Sequence, residues 1–115
     1  MKIGVPKEPE GENRVAITPL SMKKLLKAGF EVIVESGAGI ASNYLDADYE
    51  QAGATLGTRE QAMACDTIIS IRFPGLEGTS KGSKIACVAD PFRHPEHVTS
   101  CIDNGITLLS MDMIP

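Results

Sequence analysis

The 115-residue sequence contains no tryptophan, only two histidines and three cysteines, and no apolar run long enough to cross a bilayer. The cysteines, Cys65, Cys87 and Cys101, are odd in number and lack the spacing of metal ligands, which favours reduced thiols over a disulfide framework. The chain begins directly with the strand-like "MKIGV", without the pattern of a signal peptide. These absences predict a cytoplasmic chain that does not itself enter a membrane.

Basic residues are neither in excess nor clustered. Eleven Lys and Arg residues against fifteen Asp and Glu residues give a net charge of −4, which excludes the electrostatic footprint of a direct nucleic-acid or anionic-membrane contact. The two histidines, His94 and His97, flank Pro-Glu at a predicted helix start, where we find no third ligand at metal spacing. The sequence therefore predicts no metal site and no nucleic-acid partner.

Strand-like runs alternate with helix-like segments along the chain. With 43% hydrophobic residues, the composition is that of one globular domain with a single core. Strands are expected at 2–5, 30–35, 67–73, 84–89 and 106–112, and helices within 18–29, 45–54, 58–66 and 94–105. Apolar strands separated by helices predict an α/β fold with a doubly wound, mostly parallel sheet and helices on both faces, a Rossmann-like or flavodoxin-like sandwich.

The first predicted helix has clear end signals. Thr18 is a typical N-cap residue, the proline after it suits the first helical turn, and Gly29 occupies the stop position. Within the helix, Leu20, Leu25 and Leu26 occur at spacings that predict one apolar face, with a methionine nearby.

The stretch "VESGAGIAS" follows a predicted strand and contains two glycines at the spacing of a dinucleotide fingerprint. That fingerprint needs Gly or Ala at its sixth position, where this sequence has Ser42, and it belongs to the first strand of a unit rather than the second. We therefore interpret the stretch as a loop in which Gly37 and Gly39 allow positive φ or close packing, and not as a cofactor site.

Several spaced motifs carry a family resemblance. The segments "GVPKE", "ENRVAITP", "VESGAG" and "D-x-x-Y-x-x-AGA" resemble the N-terminal segment shared by alanine dehydrogenases and the alpha subunit of proton-translocating NAD(P) transhydrogenase. The resemblance covers essentially the whole chain, residues 1–115. Toward the C-terminus, "PFRHPE" and "ITLLSMDMIP" resemble the transhydrogenase more than the alanine dehydrogenase.

Three positions bear on that choice. In alanine dehydrogenases an arginine, a lysine and a histidine are associated with the 2-oxo acid, and the matching positions here are Arg14, Arg72 and Asp90. A guanidinium at Arg14 or Arg72 suits a carboxylate or another anion, so both are candidate anion or substrate contacts. Neither arginine transfers protons near neutral pH, and Asp90 brings a negative charge toward an anionic substrate. Oxidative deamination at this site is not expected, and no catalytic residue is assigned.

Alternatives remain open for both arginines. Arg14 also fits an ion pair with Glu8, Glu10 or Glu12 of its own loop, and Arg72 fits a solvated or ion-paired position at a strand end.

The resemblance implies a component of an enzyme that passes a hydride between NADH and NADP⁺ and couples this to proton translocation. In the family the residues that contact the nicotinamide end of NAD, and a second α/β domain with a true G-x-G-x-x-G, follow the proline that matches Pro115. We therefore expect NAD to be bound mainly beyond this chain, by an alpha subunit that forms a homodimer and works with a membrane-embedded beta subunit at the cytoplasmic face of the inner membrane. The alternatives are a stand-alone, non-catalytic module that binds a small carboxylate or a protein partner, and an alanine dehydrogenase-like N-terminal domain.

Overall fold

A computed structural model of the chain describes residues 2–88 and 94–110. It contains six strands, β1 to β6, at Lys2–Val5, Glu31–Glu35, Thr55–Gly57, Thr67–Arg72, Lys84–Val88 and Thr107–Ser110. The helices α1 to α4 span Pro19–Lys27, Asp46–Gln51, Arg59–Met63 and Pro95–Asp103, and a single 3₁₀ turn covers Ile40–Ser42. Each predicted strand and helix has a counterpart among the described residues, whereas β3 was not predicted. Positions 89 and 111–112 of the predicted strands lie outside the described residues. No helix among the described residues is long and apolar enough to cross a membrane.

The six strands form one parallel sheet in the order β3-β2-β1-β4-β5-β6. This is the Rossmann order rather than the flavodoxin order, and it confirms the predicted doubly wound α/β fold. The direction of winding reverses between β1 and β4. In such sheets the loops diverge at the reversal, and a crevice opens at the carboxyl ends of the strands.

One face of the sheet is covered by α1 and α2. Ile3, Val5 and Val34 point into this layer, and they pack in one buried cluster with Met22 of α1 and Tyr49 of α2. Alternation along parallel strands places every second side chain on this face.

The opposite face is covered by α3 and α4. Gly4 lies so close to α3 that a Cβ atom there would stand 1.9 Å from the Ala62 carbonyl oxygen. Met63 of α3 and Cys101 of α4 pack with Ile68 in a second buried cluster. The two clusters confirm the prediction of helices on both faces.

The first helix begins and ends as its sequence predicts, but its apolar face differs. The Thr18 side chain accepts a hydrogen bond from the Ser21 amide at 3.2 Å, and Gly29 follows the helix with a φ of +96°. Met22 is fully buried, whereas Leu20 is 74% exposed. The expectation that Leu20 belongs to the buried face is wrong because it lies in the first turn, on the side that faces away from the sheet.

Strand β4 carries a bulge near its carboxyl end. Ile69 pairs with Ala86, but Arg72 pairs with Val88, so β4 uses three steps where β5 uses two. A bulge leaves one residue out of the ladder and bends the strand. It therefore changes the direction in which the last residues of β4 present their amides and side chains.

We predict that Tyr49→Phe lowers the free energy of unfolding by about 1 kcal/mol. The buried Tyr49 hydroxyl donates a hydrogen bond to the Ile17 carbonyl oxygen at 2.8 Å, and burial raises the pKa of Tyr49 to about 12. Removing the hydroxyl leaves that carbonyl without its donor. Urea unfolding at pH 7 measures the change.

Tyr44→Phe is the matched control, since the half-buried Tyr44 hydroxyl makes no hydrogen bond to any described residue. We expect this variant to change stability by less than about 0.5 kcal/mol. Equal losses in the two variants would contradict a specific role for the Tyr49 hydroxyl.

Candidate functional site

The carboxyl ends of β1, β4 and β5 and the start of α4 enclose a cavity of about 380 Å³. It lies at the point where the winding of the sheet reverses, the usual ligand position in doubly wound folds. Its lining is mostly polar and comprises Pro9, Glu10, Gly11, Glu12, Arg72, Phe73, Val88, His94 and His97.

Glu8 fixes the loop after β1 to the bulged end of β4. Its carboxylate accepts hydrogen bonds from the backbone amides of Ile71 and Arg72, both at 2.8 Å, and the residue is buried. In a regular strand, successive amides point to opposite sides. The bulge turns two consecutive amides toward the same carboxylate, and in this way it determines where Arg72 leaves the sheet.

Arg14 and Arg72, the two predicted anion contacts, meet at the carboxylate of Glu12. Arg14 donates from Nε to Glu12 Oε2 at 3.0 Å and from a terminal nitrogen to Oε1 at 2.9 Å, while Arg72 Nε donates to Oε1 at 3.0 Å. The Glu12 side chain is 8% exposed and the two arginines are 67% and 58% exposed. The structure thus brings the two arginines together, with Glu12 as their shared partner.

These contacts change the acidity of the groups involved. The hydrogen bond from the Arg14 side chain, with smaller contributions from the Arg14 charge and from Arg72, lowers the pKa of Glu12 from 4.5 to about 2. The same pair raises the pKa of Arg14 above its ordinary value. Glu12 is therefore ionised throughout the neutral range and binds both guanidinium groups, of which that of Arg72 lines the cavity.

The arginines retain donors beyond the contact with Glu12. Within residues 2–88 and 94–110, Arg72 donates from Nε alone, and neither terminal nitrogen has a partner there. Arg72 also lines a second, neighbouring cavity of about 280 Å³ beside Arg59. A planar guanidinium with two free terminal nitrogens recognises carboxylate and phosphate groups through paired hydrogen bonds.

The alternatives left open by the sequence are now distinguished for Arg14. Among Glu8, Glu10 and Glu12, it pairs with Glu12, while Glu8 binds the backbone of β4. The role of Glu8 was not predicted, because nothing in the sequence indicates a contact with a strand about sixty residues away. Asp90, the third position matched in the family comparison, lies outside the described residues.

The loop "VESGAGIAS" has the structural role that was predicted for it. Gly37 has a φ of +86° and its amide donates to Asp46 Oδ1 at 2.8 Å. At Gly39 a Cβ atom would stand 2.6 Å from the ring of Tyr49. The Gly37 amide, which a dinucleotide site would direct at a pyrophosphate, already binds a carboxylate.

The two histidines are not isolated surface residues. His97 stacks on Phe73 with ring centroids 4.1 Å apart, and His94 stacks on His97 at 5.0 Å. A carboxylate accompanies the two imidazoles, since Glu96 Oε1 lies 3.0 Å from His94 Nδ1, and the expectation of no metal site stays a prediction. The proline between His94 and Glu96 starts α4 and folds the three side chains together.

We predict that Glu12→Gln destabilises the chain by about 1 kcal/mol at pH 7. Because the folded-state pKa of Glu12 lies below its ordinary value, its contribution is fully present above pH 4.5 and is lost as the pH falls toward about 2. The difference between the wild-type chain and this variant should therefore shrink from pH 4.5 to pH 3 in urea unfolding curves.

Glu10→Gln is the control from the same loop, since Glu10 is exposed and has no hydrogen bond or ion pair with a described residue. A similar loss in both variants, or a difference that does not depend on pH, would argue against the shared ion pair.

The comparisons with known proteins agree with this architecture. A family model described as alanine dehydrogenase/PNT, N-terminal domain, matches residues 4–115. The NAD(P) transhydrogenase subunit alpha of Haemophilus influenzae is 34% identical over 100% of this chain, which spans 23% of that relative. The alanine dehydrogenase of Geobacillus stearothermophilus is 44% identical over 64% of this chain and 21% of its own length.

A solved structure, that of a transhydrogenase from Sinorhizobium meliloti, superposes with a TM-score of 0.95 at 34% identity and covers 100% of this chain and 36% of its own. The family resemblance of the sequence motifs is therefore confirmed at the level of the whole described fold. With a family model that matches nearly every residue, the chain belongs to the alanine dehydrogenase/PNT N-terminal domain family.

Proposed function

We propose that the chain is the N-terminal domain of a transhydrogenase alpha subunit, in which it supports hydride transfer from NADH to NADP⁺ coupled to proton translocation. The observation that carries this proposal is the share of the chain that aligns with each relative. The transhydrogenase subunit of Haemophilus influenzae aligns with the entire chain, whereas the Geobacillus stearothermophilus alanine dehydrogenase aligns with 64% of it. Residues 1–115 would then form one domain of a longer protein.

The contacts of the described residues support a cofactor site that needs further segments. Gly37 and Gly39 form the only glycine pair spaced like a dinucleotide fingerprint, and both have structural roles. The Gly37 amide donates to Asp46, and Gly39 packs against the ring of Tyr49. The Asp46 carboxylate would repel a pyrophosphate there. We therefore propose that NAD is bound mainly by segments that follow Pro115, with this domain forming the opposite wall of the crevice.

Within that wall the residues have positioning roles. Glu8 holds Arg72 at the rim of the crevice, and Glu12 holds Arg14 beside it. Hydride transfer between two nicotinamides needs no protein acid or base, because the cofactors supply the chemistry and the protein orients them. The proposed assembly includes a second copy of the subunit and a membrane-embedded beta subunit, at the cytoplasmic side of the inner membrane.

A second candidate function rests on the arginine pair. Two guanidinium groups that already grip one carboxylate, that of Glu12, also suit the carboxylate of a small ligand. The arginine pair thus favours two alternatives. One is a free module that binds a small carboxylate, and the other is an alanine dehydrogenase-like domain.

Calorimetric titration with NADH distinguishes the proposals. We expect no binding by residues 1–115 alone and binding by a chain extended through the following domain. Saturable binding of NADH to the 115-residue chain would overturn the proposed location of the cofactor site.

Titration of the 115-residue chain with a 2-oxo acid tests the second candidate. The transhydrogenase proposal predicts no saturable heat in the wild-type chain, whereas a carboxylate module predicts binding that Arg14→Ala abolishes. Lys23→Ala, which removes an exposed positive charge from α1, is the control for non-specific charge effects.

A further inference from the structure

The start of α4 gathers three metal-ligating side chains that the proposed function does not use. His94 is the N-cap residue, and Glu96 and His97 follow in the first turn. One donor atom from each of the three lies within 4.8 Å of the other two. The chain contains only these two histidines, and both are in this cluster.

His97 supplies an independent indication of a ligand. Its Nδ1 atom is shielded from solvent and has no hydrogen-bond partner in the part of the chain that the structure describes. A shielded ring nitrogen without a partner is costly, and a bound ion is one of the groups that satisfies it. The His97 ring stacks on the Phe73 ring, and the planes of the two rings are inclined by only 10°.

We propose that His94, Glu96 and His97 bind a divalent transition-metal ion of the Zn²⁺, Co²⁺ or Ni²⁺ class. Two imidazoles and one carboxylate form a donor set that suits these ions, whereas Mg²⁺ and Ca²⁺ prefer oxygen ligands alone. The set leaves at least one coordination position open to water or to a group in the cavity.

The distances between the donor atoms are compatible with metal binding if the His94 side chain turns. His94 Nδ1 and Glu96 Oε1 are 3.0 Å apart, close to the separation of roughly 3.4 Å between two ligands of a tetrahedral zinc ion. The two imidazole planes are inclined by 19°, so their in-plane lone pairs do not yet converge. His94 is 51% exposed and has room to turn, whereas Phe73 holds His97. Metal binding should therefore break the stack between the two histidines.

Among the described residues, charges of both signs line the cavity beside the cluster. Arg72 lines the same cavity and the N-terminus of α4 carries a partial positive charge, and both oppose metal binding. Arg72 is paired with Glu12, and Glu10 adds a carboxylate on the facing loop that has no partner among the described residues.

The proposal is tested with the whole chain and ZnCl₂ as the probe at pH 7.5, by calorimetry and by NMR of the imidazole nitrogens. Because no other histidine is present, every imidazole signal comes from the cluster. We expect one equivalent to bind and both imidazoles to shift together. His94→Gln, Glu96→Gln and His97→Phe should each weaken binding at least about tenfold, the size of effect that even an outer-shell partner has. His97→Phe retains a ring on Phe73, which protects the packing of α4.

Glu60→Gln is the matched control. Glu60 occupies the same second position of the first turn in α3, behind the N-cap Thr58, but no histidine accompanies it. The proposal predicts unchanged affinity in this variant. It is overturned if no zinc binds at stoichiometric concentrations, if only one imidazole responds, or if Glu60→Gln weakens binding as much as Glu96→Gln. Titration with Co²⁺ identifies the ligands, and thiolate absorption from the cysteines would also overturn it.

Discussion

The arrangement of the cavity at the carboxyl ends of β1, β4 and β5 depends on one buried carboxylate. Glu8 extends from the loop after β1 and accepts hydrogen bonds from two consecutive amides at the end of β4. A bulge in β4 makes this geometry available, and the carboxylate in turn satisfies amides that the disrupted ladder leaves without strand partners. Loop and bulge thus stabilise each other at the reversal point of the sheet.

Three features of the cavity follow from this contact. Arg72 contributes the second of the two amides that Glu8 binds. Its side chain donates to Glu12, the carboxylate that Arg14 also binds. Phe73 comes directly after it and provides the surface on which His97 stacks. Arg72, His94 and His97 therefore line one cavity, and the positions of Arg72 and His97 both depend on the end of β4. Loss of the Glu8 contact should therefore displace both the Arg72 side chain and the His97 ring.

The sequence was sufficient for the architecture because its signals are local. Thr18 is an N-cap in both prediction and structure, and positive φ at Gly29 ends the first helix where expected. Strand β3 was missed because three residues are too few to show a period. Strand order depends on contacts between distant segments, which local pattern does not encode.

The site was predictable only in part, for a similar reason. Arg14 and Arg72 were predicted as anion contacts because they match positions of the related family, and an ion pair between Arg14 and Glu12 was among the alternatives. The contacts of Glu8 with β4 and of Glu12 with Arg72 join residues about sixty positions apart, which local pattern does not indicate. The contact between His97 and Phe73 joins two distant parts of the chain, so local pattern does not indicate it.

The contact at Glu8 is tested most directly by amide hydrogen exchange in the wild-type chain and in Glu8→Ala. We expect the amides of Ile71 and Arg72 to be protected in the wild-type chain and to exchange much faster in the variant. The amide of Val34, in the distant strand β2, should remain as protected as before. Unchanged protection at Ile71 and Arg72 would show that other contacts hold the bulged end of β4 and would contradict the role of Glu8.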